Sequence, residues 1–458
     1  MSKLTSQHFS PRASLCALGP KIRSLKLFET ISKHVFIKQK TIKHKPVDKL
    51  LDAFIAILDG AHGLCEINTR LRSDPALQRA FGRCACAEQS VVQETLNACN
   101  ETNVSQMRQA FNEILRQYSR AFSHNYRRRW QLLDIDLTGL PCGKKAELSH
   151  KGYFSKAGIR YGRQLGRVVA TLYQEIILDQ LYSGNALLSH ALRPLILAAE
   201  EVLGLNEYKR GRSILRLDAG GGSLEDVNWM LERGYQLHGK DRSSARAATW
   251  ASTVKRWYDD PHHPDRQMGW AEPLSTPDYV RPVRRLVIRW MKNNGQRAYA
   301  MLISTLEPLD VMSLIGQPLA NLQDQQLVAS AYAEFYDKRG GAVEIEFKED
   351  KQGFGLGKRN KKRAAAQQIV MLLNSLAHNA LVWVQKWLAD EVPKLASFGT
   401  LRLVRDVLSV SGKVEFDSKA SKLKRIVLNR AAPIISKLLT AFRALLLDEH
   451  VVIILGKI

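Results

Sequence analysis

The chain has 458 residues, with 68 Lys+Arg against 44 Asp+Glu, a formal net charge of +24 and a pI near 9.8. Hydrophobic residues at 45% and charged residues at 24% exclude global disorder, and the length suits about two to four domains. No apolar run reaches the ~18 residues of a membrane span, and the positive excess points to a polyanion, most often nucleic acid. An anionic membrane surface or a ribosomal-type partner is the plainer alternative.

Residues 1–49 carry eleven Lys/Arg and two acids, Glu29 and Asp48. No signal-peptide apolar core follows, so a basic arm for phosphate backbone and an organelle transit segment both explain the stretch. The cysteines, Cys16, Cys65, Cys84, Cys86, Cys99 and Cys142, include no C-x-x-C pair. Buried free thiols in a reducing cytosol are expected, with zinc a poor second. Residues 47–125 read as helices: Val47 to Leu58 and Ser105 to Phe122 place apolar residues three and four apart, and Asp74-Pro75 reads as a helix start.

The period changes after residue 130. Gln131 to Thr138 alternates as a strand stopped by Gly139 and Pro141, and residues 151–182 read as one or two antiparallel strands. Residues 186–204 form an amphipathic helix ending at Gly204. Ser213 to Asp218 is a strand, followed by Ala219-Gly220-Gly221-Gly222 and a helix capped by Ser223. Tyr235 to Gly239 is a short strand. This succession predicts α/β structure on a mixed sheet. Residues 246–328, with Trp250, Trp257, Trp270, Trp290 and several prolines, read as a β-rich insertion. Leu327 to Tyr336 is helical, residues 340–357 hold Gly-rich breaks, 359–389 form a long helix, and basic helices follow Pro393.

Three acids stand out by position: Asp136 at the end of the first strand, Asp218 at the end of a later one, and Glu344 ahead of the long helix. Carboxylates gathered from such positions suit Mg²⁺, and two ions roughly 3.5–4 Å apart activate water and stabilise the leaving oxygen in phosphodiester cleavage. Each acid alone has a plainer use, since strand-end Asp often caps a turn. Asp134 shares the Asp136 face by strand alternation and is its rival. Lys348 and Lys351 follow Glu344 at helical spacing, either as an intrahelical ion-pair face or as phosphate-positioning cations. Residues 358–363 add five more positive charges.

The order Asp136-Leu137-Thr138, then Leu217-Asp218-Ala219-Gly220, then Tyr336-Asp337-Lys338-Arg339…Glu344…Lys351 resembles the DDE transposases of bacterial insertion sequences, in particular the branch with a Tyr–Arg–Glu–Lys signature. The resemblance covers roughly residues 130–390, and Lys151-Gly152-Tyr153-Phe154 and Leu376-Ala377-His378-Asn379 also look like family sequence. It implies an RNase H-like core: a basic helical DNA-binding region at 1–125, the core at 126–245 and 329–392, a β-rich insertion at 246–328 and a helical C-terminal region at 393–458. Asp136, Asp218 and Glu344 would then bind two Mg²⁺ or Mn²⁺ ions. Tyr336, Arg339, Lys348, Lys351, Lys358 and Arg359 would contact DNA. One departure stands out: the family usually has three residues between its Arg and Glu, and here there are four. The implied chemistry is hydrolytic nicking at the terminal inverted repeats of the element, then attack of the freed 3′-hydroxyl on target DNA. A homodimer would act in the bacterial cytoplasm, at the nucleoid when DNA-bound, with no membrane partner. Trp270 or Trp290 would hold a flipped base in members with hairpin ends, although a core role suits a Trp better.

Two rivals explain part of the pattern. A methyltransferase using S-adenosylmethionine would place the Gly-rich turn at 218–222 on the cofactor and Asp241 on its ribose, leaving Asp136 and Glu344 idle. A non-catalytic DNA-binding protein explains the charge but not the three acids.

Overall fold

A computed structural model of the chain describes residues 5–40, 43–154, 158–273, 278–417 and 422–458. The backbone divides into two units, one of Met1–Tyr118, Leu140–Ser149 and Glu346–Ile458, the other of Ser119–Gly139 and His150–Ile345.

The first unit opens with β1 (Thr5–Ser10) and continues through helices at Ala13–Ser24, Leu27–His34, Pro46–Leu58, Pro75–Ala80, Gln89–Ala98 and Glu101–Tyr118. Asp74 caps the helix that Pro75 begins, its carboxylate accepting from Leu77 N at 2.9 Å.

The second unit is built on one mixed sheet. Its strands are β2 (Gln131–Pro141), β3 (His150–Tyr153), β4 (Ile159–Ala170), β5 (Glu175–Ser183), β6 (Ser213–Leu217), β7 (Gln236–Lys240), β8 (Tyr258–Asp259), β9 (Arg266–Trp270), β10 (Arg284–Met291) and β11 (Arg297–Ser304). The central order is β5-β4-β2-β6-β7. β4 and β5 form an antiparallel hairpin, while β2, β6 and β7 run parallel. Parallel neighbours need a crossover, and helices Leu188–Leu203 and Leu224–Glu232 lie in those connections. This is the RNase H-like mixed-sheet arrangement. Strands β8–β11 continue the same sheet, with β11 pairing β7, so the Trp- and Pro-containing stretch widens the sheet beyond the parallel core. Helix Gln325–Arg339 packs through Val328, Tyr332 and Phe335 into an apolar core shared with Ile214, Leu286 and Leu302.

Back in the first unit, residues 365–385 of helix Ala364–Glu391 are all buried. A helix buried on every side lies inside a core, and its polar residues are bonded there, His378 to Asp350 at 2.8 Å and Gln385 to Phe398 O at 2.7 Å. Among the described residues no helix is long and apolar enough to cross a membrane. Beyond Pro393 the expectation of helices needs correction. Three strands form there, β12 (Gly412–Asp417), β13 (Leu423–Asn429) and β14 (Val452–Gly456), in a sheet of order β1-β12-β13-β14. Val414 and Phe416 are buried while Lys413 is exposed, the period-two alternation of a strand. The partner of β12 is β1, from the opposite end of the chain.

Candidate active site

Asp136 lies on β2, and Asp218 is the first residue beyond its parallel neighbour β6. The β2–β6 register ends with Asp134 paired to Arg216, and two residues beyond that pair Asp136 and Asp218 are near enough to interact electrostatically. Strand β2 runs through Gly139 to Pro141, so Asp136 lies where pairing with β6 ends rather than at the strand's own end. Asp136 accepts from Leu137 N at 2.7 Å and its side chain is 15% exposed. Burial raises its carboxyl to about 6, Arg339 opposes the rise, and Asp218 and Glu344 add to it. Asp218 accepts from Gly220 N at 2.8 Å, capping the turn Ala219–Gly221.

The third acid arrives on a helix. Gln325–Arg339 leads into a π-helical turn, Gly340–Glu344, and on into helix Ile345–Gly353. The expected Gly-rich break is therefore a continuous helical path with one extra residue wound into it. Arg339 is buried, donating to Ile135 O at 3.0 Å. Its guanidinium stands 3.3 Å from Asp136 and 3.5 Å from Glu344. Burial opposes its charge, but Asp136, Asp218 and Asp134 more than compensate and hold it protonated. Arg339 is thus a cation fixed between two of the three acids.

A buried polar row anchors this helix to the sheet. Asp134, Arg216, His238 and Ser304 are register partners across β2, β6, β7 and β11. Arg216 forks onto Asp134 at 2.6 and 2.7 Å, and Thr171 donates to the same carboxylate at 2.7 Å. Arg216 also donates to Phe335 O at 2.9 Å, and His238 Nε2 meets Tyr332 O at 3.1 Å. Burial, with Arg216 nearby, lowers the imidazole to about 3. His238 is therefore neutral, with Nε2–H donating to the carbonyl and Nδ1 accepting from Ser304 Oγ at 3.1 Å. Asp134, the rival to Asp136, is fully buried and engaged in this row. Sequence alternation set the two aspartates on one face, but only the register with Arg216 separates them.

The remaining expected residues fall in different settings. Tyr336 is half-buried against the apolar core, and burial raises its phenol to about 12. In the first unit, Lys348 and Lys358 are exposed and Lys351 is half-buried. Arg359 is buried, donating to Phe354 O and Ala61 O, and burial lowers its guanidinium to about 10. It holds a loop to the helical core and is not available to a DNA backbone. Trp270 packs edge-on to Tyr332 at 5.0 Å, a core position. Cys16, Cys86 and Cys99 are buried, while Cys65 and Cys84 are exposed, against the expectation of buried thiols throughout.

The glycine-rich turn is filled by the chain itself. A Cβ at Gly222 would stand 2.1 Å from Lys240 O. Asp241 is buried and paired with Arg246, its carboxylate also accepting from Ser243 N at 2.7 Å. Glycine there serves close backbone packing rather than a nucleotide cofactor.

Asp136, Asp218 and Glu344 offer only carboxylate oxygens, the donor set hard divalent cations prefer. The mutual repulsion that helps raise Asp136 is a charge imbalance that such a cation relieves. Among the described residues no three His, Cys, Asp or Glu side chains are drawn together tightly enough to form an ion cluster. Arg339 stands where it neutralises part of that charge.

The mixed sheet is RNase H-like, and Asp136, Asp218 and Glu344 lie near enough to one another beside its parallel centre to shift the Asp136 carboxyl. Residues 8–446 match the family described as transposase DDE domain group 1, and the chain belongs to that family. It is accordingly an enzyme of DNA transposition, a metal-dependent DNA nuclease and strand transferase. Curated proteins give no match. Among solved structures, the chain is similar to a piggyBac transposase synaptic complex with hairpin DNA. The identity is 14%, the TM-score 0.46, and 88% of this chain and 80% of that chain are covered.

Proposed function

We propose that the protein is the transposase of an insertion sequence, binding the element's terminal inverted repeats and cutting and rejoining them at a site made by Asp136, Asp218 and Glu344. The observation that carries this reading is the electrostatic coupling of Asp136 to Asp218 and Glu344, with Arg339 fixed between Asp136 and Glu344. The three carboxylates would hold Mg²⁺ or Mn²⁺, two ions per site, and the ions would supply an activated water and charge stabilisation for the leaving 3′-oxygen. Asp136, with its raised carboxyl, gains most from a bound cation. Arg339 balances part of the charge of Asp136 and Glu344. Tyr336 keeps its phenolic hydrogen for a phosphate oxygen. Exposed Lys348 and Lys358, with Lys351, position DNA backbone. The active assembly is a homodimer bridging two element ends, in the bacterial cytoplasm.

Incubating the protein and Mg²⁺ with the DNA that flanks its gene tests the reading. Nicks with free 3′-hydroxyls at the edges of terminal repeats, and joined products, are expected. Methyl transfer from S-adenosylmethionine without DNA cutting overturns it.

A further inference from the structure

A cavity of about 590 Å³ lies in the first unit, entirely between residues 392 and 437. Its lining is of two kinds. Val392, Pro433 and Ile434 give it apolar surface over buried Leu395 and Phe398, while Lys394, Arg402, Arg405 and Lys437 set four cations around it against a single acid, Asp406. The arginines share one surface carboxylate while their side chains stay 50% and 68% exposed. Arg402 lies 3.7 Å over the Phe398 ring and 3.4 Å from Asp406, and Arg405 donates to Asp406 at 2.9 Å. Those two cations hold the Asp406 carboxyl below its usual value, so it stays charged. Lys394 and Lys437 are exposed. A 3₁₀ turn at Pro393–Ser397 and a π-helical turn at Leu403–Val407 form its walls. Irregular helical turns of this kind recur at functional sites.

An apolar floor beside a stacked guanidinium, rimmed by cations, matches an anion with a flat apolar body. Single-stranded nucleic acid is bound by this combination, with a base on an aromatic or arginine plane and phosphates on lysines. The volume falls within the range of small-ligand sites. We propose that this cavity is a nucleotide site that takes one unpaired nucleotide of a DNA strand, its phosphate between Lys394 and Lys437 and its base on the outer face of the Arg402 guanidinium, which Phe398 backs from beneath. The proposal rests on the DNA-cutting reading above but concerns a different surface.

Fluorescence anisotropy with a short labelled single strand, a duplex of the same sequence and a free mononucleotide tests it, alongside photocrosslinking of a thiothymidine-containing strand. The variant is the double substitution Lys394→Glu and Lys437→Glu, at exposed positions where folding is preserved. Wild type is expected to bind the single strand more tightly than the duplex or the mononucleotide, and to crosslink within residues 392–437. The variant should lose about tenfold or more in single-strand affinity and show a shallower salt dependence, as two phosphate-facing cations predict. Unchanged binding by the variant, preference for duplex or mononucleotide, or crosslinks mapping elsewhere would overturn the proposal. DNA cutting by wild type separates the outcomes: cutting with no effect of the variant removes only the cavity, whereas absence of cutting and of DNA binding removes the reading on which it rests.

Discussion

Arg339 and Glu344 are five positions apart, and their side chains meet at 3.5 Å. In an α-helix the facing partners are three or four apart. The π-helical turn at Gly340–Glu344 absorbs the additional residue, so a spacing that departs from the family pattern still delivers the Arg–Glu contact.

Deleting Gly341 should therefore convert the π turn to an α turn and leave Arg and Glu facing each other at i, i+4. We expect this deletion to retain Mg²⁺-dependent nicking within a few-fold. Inserting an alanine after Gly341 should abolish it. A nicking assay on both variants decides the point, and loss of cutting on deletion with the fold intact by circular dichroism contradicts the explanation.

Arg339 carries a fixed positive charge among the acids expected to hold the ions. Charges at such separations interact by a few kcal/mol even at the effective dielectric of a protein surface. Arg339→Gln should therefore bind Mn²⁺ more tightly in the absence of DNA, by roughly tenfold or more, while cutting DNA more slowly. Titration followed by electron paramagnetic resonance reads the free Mn²⁺ directly. Weaker binding by the variant would show that Arg339 helps to assemble the metal site instead of balancing it.

Asp134 and Asp136 are two residues apart on one strand and should respond oppositely to the same substitution. Ionised Asp136 is disfavoured in the fold. Its carboxyl is raised from 3.8 to about 6, so stability present below pH 4 is lost as pH rises towards and past 6, by about 3 kcal/mol. Asp136→Asn should raise the melting temperature at pH 8 in chelator while abolishing cutting. Asp134→Asn leaves buried Arg216 without its counter-charge and should cost ~3–5 kcal/mol. Calorimetry of the pair checks both signs, and destabilisation by both substitutions contradicts the assignment.

His238 sets an acid limit. An imidazole lowered from 6.5 to about 3 in the fold stabilises it above pH 6.5, and that contribution disappears as pH falls from 6.5 towards 3. His238→Gln, whose amide can still donate to Tyr332 O, should flatten the stability profile across that window. Urea midpoints at pH 7 and pH 4.5 measure it: a profile as steep in the variant as in wild type assigns the acid sensitivity to other groups.

The features legible in the sequence are the local ones. Gln131 to Thr138 and Ser213 to Asp218 are short, apolar and bounded by turn residues, so the strand that carries Asp136 and the strand that leads into Asp218 could be read directly. The Asp74 cap and the long helix after Arg363 were equally plain. What stayed hidden depends on partners far along the chain. Strand β12 looks like one more amphipathic segment until β1 pairs with it. Asp134 is distinguished from Asp136 only by the strand register that brings Arg216 opposite, and Arg359 reads as one of a surface charge run until Ala61 O and Phe354 O are seen to bind it. The π turn could be suspected only from the extra residue between Arg339 and Glu344.

A single metal-dependent cutting site made by Asp136, Asp218 and Glu344 requires all three carboxylates. Mg²⁺-dependent nicking of the DNA flanking the gene, compared among wild type, Asp136→Asn, Asp218→Asn and Glu344→Gln, measures that requirement. Wild type should nick at the terminal repeats, and each single substitution should reduce nicking by a factor on the order of 10³ or more, with DNA binding retained. Wild-type levels of cutting by any one of the three folded variants would contradict the site.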